Sequence, residues 1–183
     1  MAIFYETERL ILKMCQPEES KLVADYFVRN KNFLFKLEPV RNEDFFTAEF
    51  QEEALKGNIE LYNKGEALRL WIYKKEDKNK IIGNVNFNNI VRGPFLSCFT
   101  GYRLDVDEVN KGYMTEALGR AIEVAFDELR LHRIEANIMP QNKPSFRVVE
   151  KLGFYKEGLA KKYLKINGVW EDHVHMVLLN ENI

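Results

Sequence analysis

Leu10, Leu12 and Met14 fall on one side of an alternating apolar and polar run from Thr7 to Met14, and this period of two predicts a strand. Pro17, Glu18 and Glu19 suit a first helical turn, and Leu22, Val23, Tyr26 and Phe27 continue it as an apolar stripe. A second helix is expected from about Thr47 to Asn63, with Thr47 as N-cap and Ala54, Leu55, Ile59 and Leu61 or Tyr62 turned inward. Between the two helices, Asn32 to Phe46 is rich in Phe and charge and reads as a loop or broken helix; such a segment lines a substrate site or merely connects. Three strands follow, Leu68 to Tyr73, Lys80 to Val91 and Phe95 to Val106. The charged run Lys74 to Lys80 and the turn Arg92-Gly93-Pro94 join them into an antiparallel meander.

The segment after Gly112 carries the clearest helical period. Leu118, Ala121, Ile122, Ala125, Phe126 and Leu129 share one face, and Glu116, Arg120, Glu123, Asp127 and Glu128 fall mostly on the other. Ile134, Ala136 and Ile138 alternate within His132 to Met139, as in a strand. Pro144 opens a further helix with Val148, Val149 and Leu152, which Gly153 can end. Asn167-Gly168 joins two last strands, Phe154 to Ile166 and Val169 to Leu179, as a hairpin. The strand–helix–strand unit around Gly112 requires a parallel crossover, while the other pairings look antiparallel. The fold class is therefore α/β: a mixed, mostly antiparallel sheet of six to seven strands with a central parallel pair, flanked by helices. Residues 1–183 read as one domain, without repeats or a long linker.

Composition narrows the function classes. A net charge of -1 removes any global basic bias, so no nucleic-acid partner is expected. Cys15 and Cys98 lie far apart without paired spacing, so neither a metal nor a disulfide framework is expected, and a reducing, cytoplasmic location fits. No apolar run is long enough for a membrane span, and the N-terminus does not read as a signal peptide.

Asp105 to Leu118 orders a strand end, a short loop with one glycine, and a helix N-terminus. Free backbone N–H groups and a helix dipole then converge, which is how proteins bind phosphate. A side chain at the crowded point would block the approach, so Gly112 has a reason to be glycine. Lys111 adds positive charge and Thr115 a hydroxyl, whereas Asp105, Asp107 and Glu108 oppose an anion unless they point away. An ordinary strand–helix turn has the same order, and the loop lacks both the P-loop and the dinucleotide patterns.

Val109-Asn110-Lys111-Gly112-Tyr113-Met114 resembles the cofactor loop of the GCN5-related N-acetyltransferases, Gln/Arg-x-x-Gly-x-Gly/Ala, with Val109 and Met114 as departures. Lys-Gly-Tyr-Met-Thr-Glu-Ala is similar to the branch that acetylates ribosomal-protein N-termini, the RimJ/RimL-like enzymes. Asn142-x-x-Ser145, Val149-Glu150-Lys151-Leu152-Gly153-Phe154, Glu6 to Leu12 and Asn167-Gly168-x-Trp170-x-Asp172 also resemble that branch, so the likeness covers nearly the whole chain. It is weakest over residues 30–65, where such enzymes choose substrate.

The resemblance implies the acyl-CoA N-acyltransferase fold, with the Ser97 to Val106 strand splayed from the His132 to Met139 strand and acetyl-CoA in the gap as co-substrate. It implies that the backbone of Tyr102, Arg103 and Leu104 pairs with pantetheine. Amides of Asn110, Lys111, Gly112, Tyr113, Met114 and Thr115 would hold pyrophosphate, and Asn142 would lie near the pantetheine or adenosine. No metal is implied. Family members are often dimers, which leaves a homodimer open.

A thioester is already activated, so positioning a neutral amine against it supplies much of the catalysis. A backbone N–H near Leu104 is a candidate for stabilising the oxyanion. The branch has a serine at the position of Ser145, implying a proton donor to the departing thiolate; helix capping is the alternative. Many relatives place a tyrosine where Val149 stands, which leaves Tyr155 and Tyr163 as substitutes. For the base, a glutamate of one ribosomal-type pattern matches Leu164, and the candidates are Glu135, Asp172 and His173. Glu135 can also be a solvated strand position, and Asp172 a hairpin cap or the partner of an Arg. His173 and His175 alternate and can be surface residues, and a water can relay the proton. The expected acceptor is a protein N-terminal amine, possible in ribosomal-protein form. Glu38, Glu43 and Asp44 keep open a small amine such as a polyamine, amino acid or antibiotic; a CoA-binding sensor without catalysis is the third reading.

Overall fold

The computed structural model describes residues 3–182. Eight strands form one sheet: β1 (Phe4–Glu6), β2 (Leu10–Lys13), β3 (Leu68–Lys74), β4 (Asp77–Val91), β5 (Ser97–Leu104), β6 (Arg133–Ile138), β7 (Tyr155–Ile166) and β8 (Val169–Leu179). Their order is β1-β2-β3-β4-β5-β6-β8-β7, and β5–β6 is the parallel pair while the other neighbours run antiparallel. Four α-helices accompany the sheet: α1 (Ser20–Leu34), α2 (Ala48–Asn63), α3 (Tyr113–Glu123) and α4 (Lys143–Lys151).

The expected sheet of six to seven strands is thus one strand short, and the error lies at the N-terminus. The run expected as one strand from Thr7 to Met14 is a hairpin arm. Thr7 donates its N–H to the Leu10 carbonyl and accepts from the Leu10 N–H, which turns the chain between β1 and β2. Leu10, Ile11 and Leu12 are all buried, because β2 has a core on each side. Leu10 and Leu12 join the cluster around α3, with Met114, Ala117 and Leu118; Ile11 joins the cluster under α1, with Tyr26, Phe27 and Trp71.

The helices begin where capping chemistry allows. Pro17–Glu19 is a short 3-10 turn rather than the start of an α-helix, with Glu19 accepting from the Gln16 N–H at 3.0 Å. Thr47 caps α2 through the Phe50 N–H, as expected, but only Gln51 and Leu55 of that helix are buried. Asn32 to Phe46 divides into the end of α1 and two 3-10 turns, Phe35–Leu37 and Glu43–Phe46. Phe45 packs edge-on to Phe27 with ring centres 4.7 Å apart. The helix expected to run through Leu129 widens into a π-turn at Val124–Glu128, closed by the Leu129 N–H on the Val124 carbonyl. The Asn167-Gly168 turn has positive φ at both residues (47° and 81°), the two-residue hairpin geometry its sequence calls for. Among the described residues, no helix is long and apolar enough to cross a membrane.

Candidate active site

β5 and β6 run side by side and then part. Their ladder joins Ser97 to Arg133 and ends at Thr100 with Ala136, although β5 continues to Leu104 and β6 to Ile138. β5 stays paired with β4 and β6 with β8 along this second half, so each strand keeps one neighbour and turns one unpaired edge to the gap. Strand alternation decides which groups face the gap. The Asp105 N–H bonds the Ile82 carbonyl on β4, so the N–H groups of Leu104 and Tyr102 point the other way. Arg103 turns its carbonyl to β4, where a Cβ on Gly83 would stand 2.4 Å from it; Gly83 permits this approach. Of the three residues expected to offer backbone to pantetheine, Tyr102 and Leu104 turn theirs toward the gap and Arg103 turns its toward β4.

The loop after β5 ends at the N-terminus of α3. Gly112 is its N-cap, with φ 83°, and contributes no side-chain cap. Tyr113, Met114 and Thr115 form the first helical turn, whose N–H groups have no helical acceptor. Asn110 is also left-handed at φ 62°. The three acids before the loop are accounted for. Asp105 is fully buried, bonded by Arg29 at 2.7 Å and capping the Asp107 N–H. Burial would raise its carboxyl; the bonds from Arg29 and Asp107 outweigh that and hold it below the ordinary carboxylate value. Glu108 is buried between Lys74 and Lys111, at 3.3 and 3.0 Å, and its pKa is likewise lowered by these partners against the effect of burial. Asp107 is exposed. Lys111 therefore gives part of its charge to Glu108 rather than to the loop alone.

Arg9 reaches this loop from the β1–β2 turn. Its guanidinium donates to the Lys111 carbonyl at 3.1 Å and to Glu116 at 2.6 and 2.7 Å, and it lies 4.5 Å over the Tyr113 ring. Thr7 donates to the same Glu116 at 2.6 Å. Sequence pattern placed Glu116 on the solvent side of α3. The signal that finds its role is the co-occurrence of Thr7 and Arg9 with Glu116.

Asn142 caps α4 through the Ser145 N–H, so the capping role considered for Ser145 belongs to Asn142. The Ser145 hydroxyl donates to the Tyr102 hydroxyl at 2.6 Å, and the Tyr102 hydroxyl donates to the Ser145 carbonyl at 2.9 Å. Tyr102 sits opposite Val85, a member of the α3-side core, so this hydroxyl pair lies on the α3 and α4 side of the sheet. Burial pushes the Tyr102 phenol up to about 12, with the Ser145 bond a smaller opposing effect. The side chain of Tyr102, valued from sequence only for its backbone, is thus tied to Ser145.

The other face carries the remaining candidates. Glu135 stands opposite Phe99, and Asn137 opposite His175. Glu135 bonds His175 Nδ1 at 2.6 Å and Arg133 at 2.8 Å, and Arg133 also pairs with Glu157. Burial would raise the Glu135 carboxyl, but Arg133 and His175 outweigh it and its pKa is lowered. Glu135 is thus a paired carboxylate rather than a solvated one. The Tyr163 ring meets the His175 ring edge-on at 5.1 Å. Asp172 accepts the Lys162 N–H at 2.8 Å through Oδ1, across the irregular stretch between Ala160 and Leu164. His173 is buried with its Nδ1 against the Glu171 carbonyl, and Leu164 is exposed. A cavity of about 420 Å³ beside the paired halves of β5 and β6 is lined by Phe95, Phe99, Arg133 and Glu135 among others, away from the gap itself. Both cysteines are free and buried, and burial pushes each thiol up to about 12, which excludes a ready thiolate nucleophile.

Residues 9–155 match the model of the acetyltransferase (GNAT) domain family. The chain is 39% identical over 168 residues to the [ribosomal protein uS5]-alanine N-acetyltransferase of Escherichia coli (strain K12), covering 92% of this chain and 86% of that protein. Among solved structures it is similar to the ribosomal-protein-S5-alanine acetyltransferase from Vibrio fischeri, with TM-score 0.94, 38% identity and 98% of each chain covered. It is also similar to Mycobacterium smegmatis RimJ in complex with CoA-disulfide, with TM-score 0.88, 25% identity, and 95% of this chain and 83% of that one covered. A parted β5–β6 pair, a glycine-capped helix beside it and a family match across most of the chain agree: the chain belongs to the GNAT family and is an acetyltransferase of it, with ribosomal-protein N-acetyltransferases among its relatives.

Proposed function

We propose that this chain transfers the acetyl group of acetyl-CoA to the α-amino group of a protein N-terminus, by direct attack of the neutral amine on the thioester. The early end of the β5–β6 ladder carries the reading, because it leaves a passage through the sheet. Cofactor on the α3 and α4 side and acceptor on the α1 side then meet across one gap. The N–H groups of Gly112 and the first turn of α3 would hold the pyrophosphate, helped by the helix dipole. Tyr102 and Leu104 would present backbone N–H groups to pantetheine and to the oxyanion.

Proton traffic follows from the two faces. The attacking nitrogen loses a proton on the α1 side, where Glu135 holds His175 by Nδ1 and thereby leaves Nε2 as the acceptor. The departing thiolate gains one on the other side, where the Ser145 and Tyr102 hydroxyls form a chain. Glu135 acts in this scheme by positioning, since its lowered pKa makes it a weak base. The relatives named for ribosomal-protein-alanine acetylation support a peptide acceptor. Thiol release with peptide amines, followed by intact mass of the peptide, tests the reading. Acetylation of Ala- or Ser-initiated peptides is expected; release with polyamines or antibiotics alone would replace the acceptor class, and no release with any amine would leave a binding protein.

A further inference from the structure

Among the described residues, Thr100 Oγ1, Asn137 Oδ1 and Asn167 Oδ1 are buried polar atoms without a partner that lie apart from one another, but the other five lie together. Tyr26 Oη, Arg69 Nε, both amide atoms of Asn84 and Asn86 Oδ1 belong to one cluster on the α1 face. Register places them together. Arg69 stands opposite Asn86, and Asn86 opposite Gly101; Trp71 stands opposite Asn84, and Asn84 opposite Arg103. Opposed residues of neighbouring strands share a face. Tyr26 joins from α1 through its ring contact with Trp71, at 5.9 Å between centres. Gly101 and Arg103 lie just past Thr100, where the ladder with β6 ends, so the cluster borders the passage through the sheet.

The charge here is unbalanced. Arg69, Arg103 and Arg41 surround one carboxylate, Glu38, which already bonds Arg103 and lies 3.6 Å from Arg41. Asp105, also near Tyr26, is neutralised by Arg29 and Lys80. Arg69 makes no side-chain hydrogen bond to any described residue. Burial first, and then the two neighbouring guanidinium groups, lower its pKa to about 10. Asn84 is fully buried with neither end of its amide paired. Leaving buried donors and acceptors open costs more than an ordinary hydrogen bond gains, and Arg69, half-buried with its Nε out of solvent, finds its neighbouring carboxylate Glu38 already engaged by Arg103. Such a set is stable when something outside the chain completes it.

We infer that Arg69, Asn84 and Asn86 form a carboxylate-recognition site for the acceptor, one to two strand spacings from the reacting amine. This rests on the acyl-transfer reading above and adds the acceptor's chemistry to it. One strand spacing is roughly 5 Å, so the distance suits an acidic side chain at the second or third residue of a peptide. It equally suits the free carboxylate of a small amino-acid acceptor. The guanidinium fork supplies the charge-assisted bonds and Asn84 Nδ2 a further donor, while the open oxygens of Asn84 and Asn86 accept from N–H groups of the acceptor and fix its orientation.

Calorimetric titration of the CoA-loaded protein separates these sources. One arm uses N-terminal peptides identical except for Asp or Asn at the second or third residue; the other uses a free amino acid against its amide. The carboxylate member of at least one arm is expected to bind about tenfold or more tightly than its neutral twin. Arg69→Gln is expected to bring the twins together, with CoA affinity and melting temperature retained. Asn84→Asp, which sets a negative charge in the site, is expected to reverse the preference and decides the matter if Arg69→Gln fails to fold. Equal binding of all twins by the unaltered protein, or discrimination that survives these substitutions, overturns the inference. Discrimination without acetyl transfer would uphold this site and defeat the acyl-transfer reading, while transfer without discrimination would do the reverse.

Discussion

Arg9 and Glu116, 107 positions apart in the chain, meet in a two-pronged pair, with contacts of 2.7 Å from Nε and 2.6 Å from Nη2 to Glu116 Oε2. The Arg9 backbone N–H adds a bond to Oε1 at 2.9 Å. Glu116 sits in the first turn of α3, where a negative charge also complements the helix dipole. The pair ties the β1–β2 turn to the glycine loop, since the same guanidinium holds the Lys111 carbonyl. Removing the acceptor charge by Glu116→Gln is expected to cost about 1–3 kcal/mol of stability. It is also expected to weaken acetyl-CoA binding several-fold, because the loop loses its brace. Thermal unfolding and calorimetry on the variant check both; unchanged values would make the pair decorative.

The same residue sets a pH dependence. The carboxyls of Asp105, Glu108, Glu116 and Glu135 are all lowered, in each case by hydrogen-bonded partners that outweigh burial. A lowered folded pKa contributes stability that is present above the unfolded value and lost as pH falls through the folded value. The unfolded values lie near 3.8 for Asp and 4.5 for Glu. The melting temperature is therefore expected to hold near neutrality and to fall below about pH 4.5. Glu116→Gln is expected to flatten that fall by removing one of the four groups. A melting temperature that rises on acidification would contradict the sign.

Gly112 serves two demands that separate experimentally. Its φ of 83° costs an L-residue about 1–2 kcal/mol, and a Cβ there would stand 3.4 Å from Arg9 Nη2. Gly112→Ala is accordingly expected to lower stability by about that amount and to reduce CoA affinity. Gly112→Glu adds an anion where the pyrophosphate would lie, and is expected to abolish binding by calorimetry. Unaltered affinity in Gly112→Glu would remove the loop from the site.

The contrast between Gly112 and Glu116 shows what the sequence makes legible. A glycine between a strand and a helix announces a local backbone need, and Gly112 has the positive φ that need implies. The strong period of α3, the Asn167-Gly168 turn and the parallel crossover are local or nearly local, and all are found as expected. Glu116 is polar on an amphipathic helix and is indistinguishable from a solvated residue until β2 brings Arg9 beside it. β1 escaped notice because three residues give too few alternations, whereas β2 falls inside the strand expected from Thr7 to Met14, and what the pattern missed there is the burial of both its faces. The Asn84 and Arg69 cluster is likewise invisible, since only cross-strand register brings β3, β4 and β5 into line.

Ser145 and Tyr102 share a proton chain, so they are expected to act as a unit. Ser145→Ala and Tyr102→Phe should each lower kcat, by about 10²-fold if general-acid help is lost, with the KM for acetyl-CoA little changed. The double variant is expected to be no worse than the poorer single one. Additive losses would mean two separate roles, and wild-type turnover in Ser145→Ala would leave that residue with packing alone.

The opposite face gives a test that structure loss cannot imitate. His175 Nδ1 is held by Glu135, and the Tyr163 ring limits its rotation. His175→Gly leaves a hole next to a carboxylate that still attracts an imidazole. If the ring takes the amine proton, kcat is expected to fall about 10²-fold or more and to recover in part when free imidazole is added. Glu135→Gln keeps the ring but loosens its orientation, so a smaller loss in kcat is expected, without any response to added imidazole. A His175→Gly protein that folds, binds acetyl-CoA and turns over normally would assign the proton to water, with the pair at Glu135 left to hold β6 against β8.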